Sequence, residues 1–228
     1  MPRKKKPRPT IPEPLESTAE IITRLTTTNG IPAIQLPKIH NIVASFFSGQ
    51  RIDVRTVAQY ARNVEKKPRF NGVIMRGRNP KYTCLLFSSG ACNIMGVRTL
   101  ADGKLAARKV ARGLQKIGYP VARVENWYPV NFVASAETGM VIRIPGLYRK
   151  HGLSPYVRYM PEHFSGLIYE YLGNEEGTRG KVTVIVFSNG KLMFLGARYE
   201  QHIFYAFEHI YPIIAEFAIR SRQGSKVE

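Results

Sequence analysis

The chain has 228 residues, enough for one large domain or two small ones, and 44% are apolar, so a sizeable core is available. Lys and Arg number 34 against 16 Asp and Glu, a formal charge of +18 that points to an acidic partner, either nucleic acid or an anionic membrane. No apolar run reaches transmembrane length, the basic start leads into prolines rather than a signal-peptide core, and two cysteines, Cys84 and Cys92, exclude a disulfide framework and suit a reducing compartment.

Residues 1–16 are basic and Pro-rich, with Arg3-Lys4-Lys5-Lys6-Pro7-Arg8 at their head, a composition expected to stay disordered. The run reads as a nuclear localisation signal or a phosphate-seeking arm, or as a solvated charged terminus. Ser17-Thr18-Ala19-Glu20 has capping-box spacing ahead of Ile21, Ile22 and Leu25, so a short helix is expected outside the main body; the threonines at 26–28 argue against a long one. Asn41 to Phe47 is a predicted strand. Asp53 is a good N-cap for a helix through Arg62 with Val54, Val57, Ala58 and Ala61 on one face.

Strands are then expected at 69–76 and 83–90, joined by the polar connection Gly77-Arg78-Asn79-Pro80-Lys81. Each carries one Phe, Phe70 and Phe87, framed by Arg69, Arg76, Arg78 and Lys81. Exposed rings among cations suit a surface that meets an anion with stackable planes, which describes nucleic acid. A strand at 91–97 precedes a helix over Leu100 to Ile117, ended by Gly118 and Pro120. Its apolar face holds Leu105, Ala106, Val110, Leu114 and Ile117; Arg108, Lys109, Arg112 and Lys116 form a cationic face that is either a docking surface or plain solvated charge. Further strands are expected at 121–127, 129–135, 165–172, 181–188 and 191–197. A helix is expected from Pro145 to before Gly152, and a last one over Tyr199 to Arg220, interrupted or kinked at Pro212, before a polar tail at 221–228.

The chain repeats itself. Asn41-Ile42-Val43-Ala44-Ser45 returns as Asn131-Phe132-Val133-Ala134-Ser135, Phe70-Asn71-Gly72 as Phe164-Ser165-Gly166, Phe87-Ser88-Ser89-Gly90 as Phe187-Ser188-Asn189-Gly190, Gly96-Val97-Arg98 as Gly196-Ala197-Arg198, and Tyr119-Pro120 as Tyr211-Pro212. The spacing drifts because the second connection, 173–180, is longer and carries Glu175 and Glu176. The organisation expected is a 1–30 extension, repeats at 31–120 and 121–220, and a 221–228 tail. Each repeat offers helices enough to cover one sheet face. Alternation puts Phe70 with Phe87, and Phe164 with Phe187, on the open face at strand ends near the turns.

Catalytic chemistry finds no footing. His202 and His209 lack ligand-spaced Cys or carboxylates and read as packing residues, no phosphate-binding glycine loop occurs, Glu162-His163 reads as a corner, and neither metal nor cofactor is implied.

The segments Asn41-Ile42-Val43, Ala61-Arg62-Asn63, Arg69-Phe70, Val73-Ile74-Met75-Arg76, Leu86-Phe87-Ser88-Ser89-Gly90, Leu105-Ala106-Ala107-Arg108-Lys109, Phe164-Ser165-Gly166-Leu167-Ile168-Tyr169 and Ala206-Phe207-Glu208-His209-Ile210-Tyr211-Pro212 closely resemble the TATA-box-binding protein family, over about residues 31–220. The resemblance implies an α+β saddle: two pseudo-twofold repeats forming a ten-stranded antiparallel sheet, with helices on the convex side and the concave side in the minor groove of double-stranded promoter DNA. It implies intercalation by Phe70, Phe87, Phe164 and Phe187, base contacts by Asn41, Asn131, Val43 and Val133, and phosphate contacts by Arg69, Arg76, Lys81, Arg98, Lys191 and Arg198. Ala91 and Glu170 depart from usual basic positions, and Met95 and Leu195 from usual threonines, so weaker discrimination at the central base pairs is expected. The implied partners are transcription factor IIA at 77–81 and on the basic helix face, transcription factor IIB, and polymerase-associated factors, or their equivalents; the family docks factor IIB at the turn matching 173–180, and the insertion there marks either a divergent partner or a loop with no role. A second copy of the chain, when free of DNA, is a further candidate. No membrane is implied, and the basic tail makes the nucleus the expected compartment. The alternative is a related scaffold factor working mainly through protein partners.

Overall fold

The structure, a computed structural model, describes residues 13–174 and 179–219. The basic run at 3–8, Glu175, Glu176, Arg220 and the tail expected at 221–228 lie outside the described residues. These hold helices α1 (Thr18–Thr23), α2 (Val54–Tyr60), α3 (Leu100–Gln115), α4 (Ile144–His151) and α5 (Glu200–Ala215). The strands are β1 (Lys38–Phe47), β2 (Val64–Glu65), β3 (Gly72–Gly77), β4 (Tyr82–Phe87), β5 (Ala91–Val97), β6 (Glu125–Glu137), β7 (Val157–Arg158), β8 (Leu167–Tyr171), β9 (Val182–Val186) and β10 (Lys191–Ala197). They form an antiparallel sheet in the order β2-β3-β4-β5-β1-β6-β10-β9-β8-β7. The chain packs as two compact units, Pro37–Ala136 with Met193–Arg198, and the remaining segments together.

In the 37–136 unit, strand alternation sorts the side chains. Ile42, Ala44 and Phe46 of β1 are buried, as are Cys84 and Leu86 of β4 and Cys92 and Ile94 of β5. Their neighbours Asn41, Val43, Ser45, Phe47, Thr83, Leu85, Phe87, Asn93 and Met95 are half-exposed on the opposite face. Helix α3 lies against β1 and β5 on the buried side. Thr99 caps it: the Thr99 hydroxyl accepts from the Asp102 N–H at 3.0 Å and donates to the Asp102 carboxylate at 2.9 Å. The buried stripe is Gly103, Ala106, Ala107, Val110, Ala111 and Leu114. Leu105, expected on that stripe, is 41% exposed, because the small residues turn inward and let the helix approach the sheet closely.

Other boundaries shift for local reasons. The two strands expected at 121–127 and 129–135 are a single strand, β6, and residues 121–124 are not strand. Pro129 sits within β6 where the β1–β6 register shifts, an irregularity that accommodates its missing N–H. The strand expected at 69–76 starts only at Gly72, so Phe70 lies in the approach to β3 rather than in it. Helix α2 stops at Tyr60, where Ala61 turns to extended backbone, and α5 stops at Ala215 with Pro212 inside it.

In the other unit, α5 lies on β9 and α1 lies on α5. The run His202–Phe207 of α5 is therefore buried all round, the signature of a helix covered on two sides. Ser17 forms the expected capping box with Glu20, and the chain continues through a π-helical turn at Arg24–Thr28, one turn further than its threonines suggested. Thr23, Thr26 and Thr27 bond back to the carbonyls of Ala19, Ile22 and Thr23 at 2.9, 2.9 and 2.7 Å. Ile21 and Leu25 are completely buried.

Candidate nucleic-acid interface

Strands β1 and β6 set Asn41 opposite Val133 and Val43 opposite Asn131. Four residues ninety positions apart in sequence thus form one crossed square on the half-exposed face. The backbone fixes both amides: the Gly96 N–H donates to Asn41 Oδ1 at 2.7 Å and the Gly196 N–H to Asn131 Oδ1 at 2.9 Å. Gly96 and Gly196 have φ of +89° and +86°, a region open to glycine at little cost. Between Ile94 and Val97, β5 carries one residue more than β1 does opposite, a bulge that frees the Gly96 N–H from the ladder. With each Oδ1 occupied, what remains to point away from the protein is a pair of Nδ2 donors.

Phe70 and Phe87 meet edge to face, ring centroids 5.5 Å apart at 64°, and Phe164 and Phe187 do the same at 5.8 Å and 71°. Phe164 is 41% exposed. The Phe-x-Gly spacing has a steric cause. A Cβ on Gly72 would lie 2.5 Å from the Leu86 carbonyl oxygen and 3.0 Å from the Phe70 ring. One on Gly166 would lie 2.7 Å from Ile185 Cγ2 and 2.8 Å from the Phe164 ring. Each ring folds back over a glycine that cannot be larger. Gly72 pairs with Phe87 in the β3–β4 register, so the Phe70–Phe87 pair sits at the end of that hairpin remote from the 77–81 connection; the turn beside it is Ser88–Gly90.

Of the basic residues expected to meet phosphate, Arg69, Lys81, Arg98, Lys191 and Arg198 are exposed. Arg76 instead pairs with Glu65 at 2.8 Å, and this hydrogen bond holds the Glu65 carboxyl below its ordinary range. Glu170, at the repeat-related position of Arg76, pairs with Arg158 at 2.5 Å, so the same cross-strand ion pair occurs with its polarity exchanged. On α3, Arg108, Lys109, Arg112 and Lys116 are exposed, as is Arg78. Lys109 also bonds the Asn79 carbonyl, tying the helix to the 77–81 connection, and Lys104 stands 5.4 Å over the Trp127 ring.

Reading the sequence missed the half-exposed Thr83, Leu85, Asn93 and Met193 in one unit and Ile185 in the other; counting by twos from Phe87 and Phe187 would have found Leu85, Thr83 and Ile185. Met95 and Leu195 are half-exposed too. His202 is fully buried, and His209 packs against Tyr169 and Tyr171, with its Nε2 2.9 Å from the Tyr169 hydroxyl and burial lowering its pKa. Among the described residues no group of three or more His, Cys, Asp or Glu is placed to hold a metal, and no helix is long and apolar enough to cross a membrane.

The family model for transcription factor TFIID, or TATA-binding protein, matches residues 36–117 and 128–217. The TATA-box-binding protein of Saccharomyces cerevisiae is 42% identical over 183 residues, which are 80% of this chain and 72% of that protein. That of Schizosaccharomyces pombe is 40% identical over 183 residues, 80% of this chain and 75% of that one. Among solved structures, Methanococcus jannaschii TBP matches with a TM-score of 0.65 at 30% identity, over 79% of this chain and 98% of that one.

Proposed function

The chain belongs to the TATA-binding protein family, whose members are DNA-binding transcription factors and not enzymes, and we propose that it is a general transcription initiation factor that binds the minor groove of A/T-rich promoter DNA. Phe70 with Phe87, and Phe164 with Phe187, wedge into base steps and kink the duplex, and the bent complex nucleates assembly of the initiation machinery in the nucleus.

One observation carries the reading: two asparagine amides are oriented by Gly96 and Gly196 so that both present donors on a half-exposed apolar face. In the minor groove an A·T pair offers acceptors alone, whereas G·C adds the guanine amino donor. A fixed donor therefore favours A·T and meets another donor at G·C. Val43 and Val133 fill the floor between. Unstacking costs roughly a few kcal/mol per step for wedging proteins, this family among them, and flexible TA steps lower the cost. Arg69, Lys81, Arg98, Lys191 and Arg198 bind phosphate. Arg76 joins them by releasing Glu65. Transcription factor IIA, or its equivalent, docks on the 77–81 connection and on the α3 face of Arg108, Lys109, Arg112 and Lys116. Transcription factor IIB, or its equivalent, docks at 173–180.

A bend measurement by end-labelled fluorescence transfer on a TATA-type duplex tests this. The full chain should bend the duplex, and Phe70→Ala with Phe164→Ala should abolish the bend. A second reading, a scaffold held at promoters by partners, draws on Met95 and Leu195, which put thioether and alkyl groups where hydroxyls could read bases. Under it, the wild-type chain leaves the duplex straight while still assembling partners.

A further inference from the structure

We infer that Asn93 is a third polar base reader, one that accepts as well as donates, so that the half-site on the Phe70–Phe87 side tolerates a guanine amino group at one base pair. The inference rests on the minor-groove reading above and concerns this chain's own selectivity within it.

Asn93 lies in β5 between buried Cys92 and Ile94, on the same half-exposed face as Asn41. Its register partners are Ser45 on β1 and Leu85 on β4, and Leu85 is two residues from Phe87. It therefore sits between the central Asn41 and the Phe70–Phe87 wedge, four strand residues or about 13 Å from the level of Asn41. An amide here costs nothing in the core and gains nothing from it.

The contrast with Asn41 and Asn131 decides the chemistry. Their carbonyl oxygens are occupied by the Gly96 and Gly196 N–H groups, which leaves donors alone to face a base. The Asn93 side chain makes no hydrogen bond to any described residue, so its Oδ1 and Nδ2 are both available. Rotation about the last side-chain bond has a broad, roughly two-fold profile and exchanges the two groups. Facing A·T, Nδ2 donates to adenine N3 or thymine O2. Facing G·C, Oδ1 accepts from the guanine N2 amino group. An apolar side chain can do neither and leaves that amino group desolvated without a partner.

The repeat supplies an internal control. The position corresponding to Asn93, by the alignment of Phe87-Ser88-Ser89-Gly90 with Phe187-Ser188-Asn189-Gly190, is Met193, which is also half-exposed. Tolerance for the amino group therefore belongs to one half-site, and the two halves of a symmetric duplex become inequivalent to this protein.

The test is a competition assay with the full chain against a TATA-type duplex in which each adenine in turn is replaced by 2,6-diaminopurine. That base adds the minor-groove amino group and keeps pairing with thymine. The wild-type chain should lose about tenfold or more in affinity, relative to the unmodified duplex, at the central positions, yet less than about threefold at one position in one half-site. Asn93→Val should bring the loss at that position up to the tenfold range, and Met193→Asn should create a tolerant position in the other half-site. A uniform penalty across the wild-type scan, or a scan unchanged by Asn93→Val, overturns the assignment while leaving minor-groove binding standing. Absence of binding to the unmodified duplex overturns both.

Discussion

Arg24 grips Glu208 of α5 with two parallel hydrogen bonds, Nε to Oε1 at 2.7 Å and Nη2 to Oε2 at 3.0 Å, while its Nη1 and Nη2 hold Glu16 at 2.6 and 3.1 Å. One guanidinium thus clamps two carboxylates and locks the N-terminal segment across α5. Beneath the clamp, Ile21 and Leu25 are completely buried. Among the described residues α1 covers α5, whereas Arg108, Lys109 and Arg112 on the outer face of α3 are exposed.

Removing the apolar part of this brace should cost more than removing the ionic part. Ile21→Ala deletes buried methyl groups and should destabilise the protein by about 2–4 kcal/mol. Arg24→Ala breaks a partly exposed pair and should cost only about 1 kcal/mol. Thermal denaturation followed by circular dichroism checks the order, and a larger loss for Arg24→Ala would refute it.

The brace should also loosen in acid. The Arg24 hydrogen bond lowers the Glu16 pKa from its ordinary value of 4.5. A carboxylate depressed in the folded state contributes stability that is complete above the unfolded value and is lost as pH falls through the folded one. Protection of the amides at 18–28 from hydrogen exchange should therefore be constant at neutral pH and decline below about pH 4.5, after correction for the intrinsic rate. Arg24→Ala should flatten the decline.

Glycines in the two structural settings should respond oppositely to a methyl group. Gly72→Ala drives Cβ to 2.5 Å from the Leu86 carbonyl oxygen and against the Phe70 ring. It should cost about 1–3 kcal/mol and reduce DNA bending as well. A Cβ on Gly113, on α3, would lie 3.8 Å from the Met75 methyl, an ordinary contact, so Gly113→Ala should raise stability by about 0.5–1 kcal/mol through helix propensity. Chemical denaturation of the two variants measures both signs.

Asn131→Asp keeps an acceptor for the Gly196 N–H and replaces the outward donor by an anionic oxygen. The melting temperature should hardly move. Affinity for a TATA-type duplex should fall by at least about 2 kcal/mol, since an acceptor then faces acceptors. An Asp variant that binds as well as wild type would remove the asparagine pair from base recognition.

Met95→Thr combined with Leu195→Thr places a hydroxyl directly before Gly96 and Gly196. The double variant should discriminate the central base pairs more sharply than the wild-type chain, seen as a wider affinity gap between TATA-type and centrally substituted duplexes. An unchanged gap would show that these positions do not reach bases.

The Phe-x-Gly pairs and the Asn-x-Val pairs were legible in the sequence because each occurs twice, and recurrence at matched positions separates a motif from coincidence. The strand face carrying them was legible too, since burial alternates with period two along any half-covered strand. Asn93 was not legible, because its counterpart is Met193 and no recurrence marks it. Nor was the brace: Arg24 and Glu208 are 184 positions apart, and no local pattern links a threonine-rich turn to a distant helix. Leu105 was misplaced because a count of apolar residues favours a leucine over Ala107 and Ala111, while close packing on the sheet favours the alanines.

Taken alone, the order of residues showed the duplication directly and determined the strands and the helices between them, which follow from steric and burial preferences acting over a few neighbouring residues. Tertiary structure decided which atoms of those residues are free to act. It occupied the carbonyls of Asn41 and Asn131, left both ends of the Asn93 amide without a hydrogen-bond partner among the described residues, paired Arg76 with Glu65 but Glu170 with Arg158, and laid α1 across α5. A hydrogen bond or ion pair needs its partner within about 3 Å, and only the folded chain brings distant partners that close.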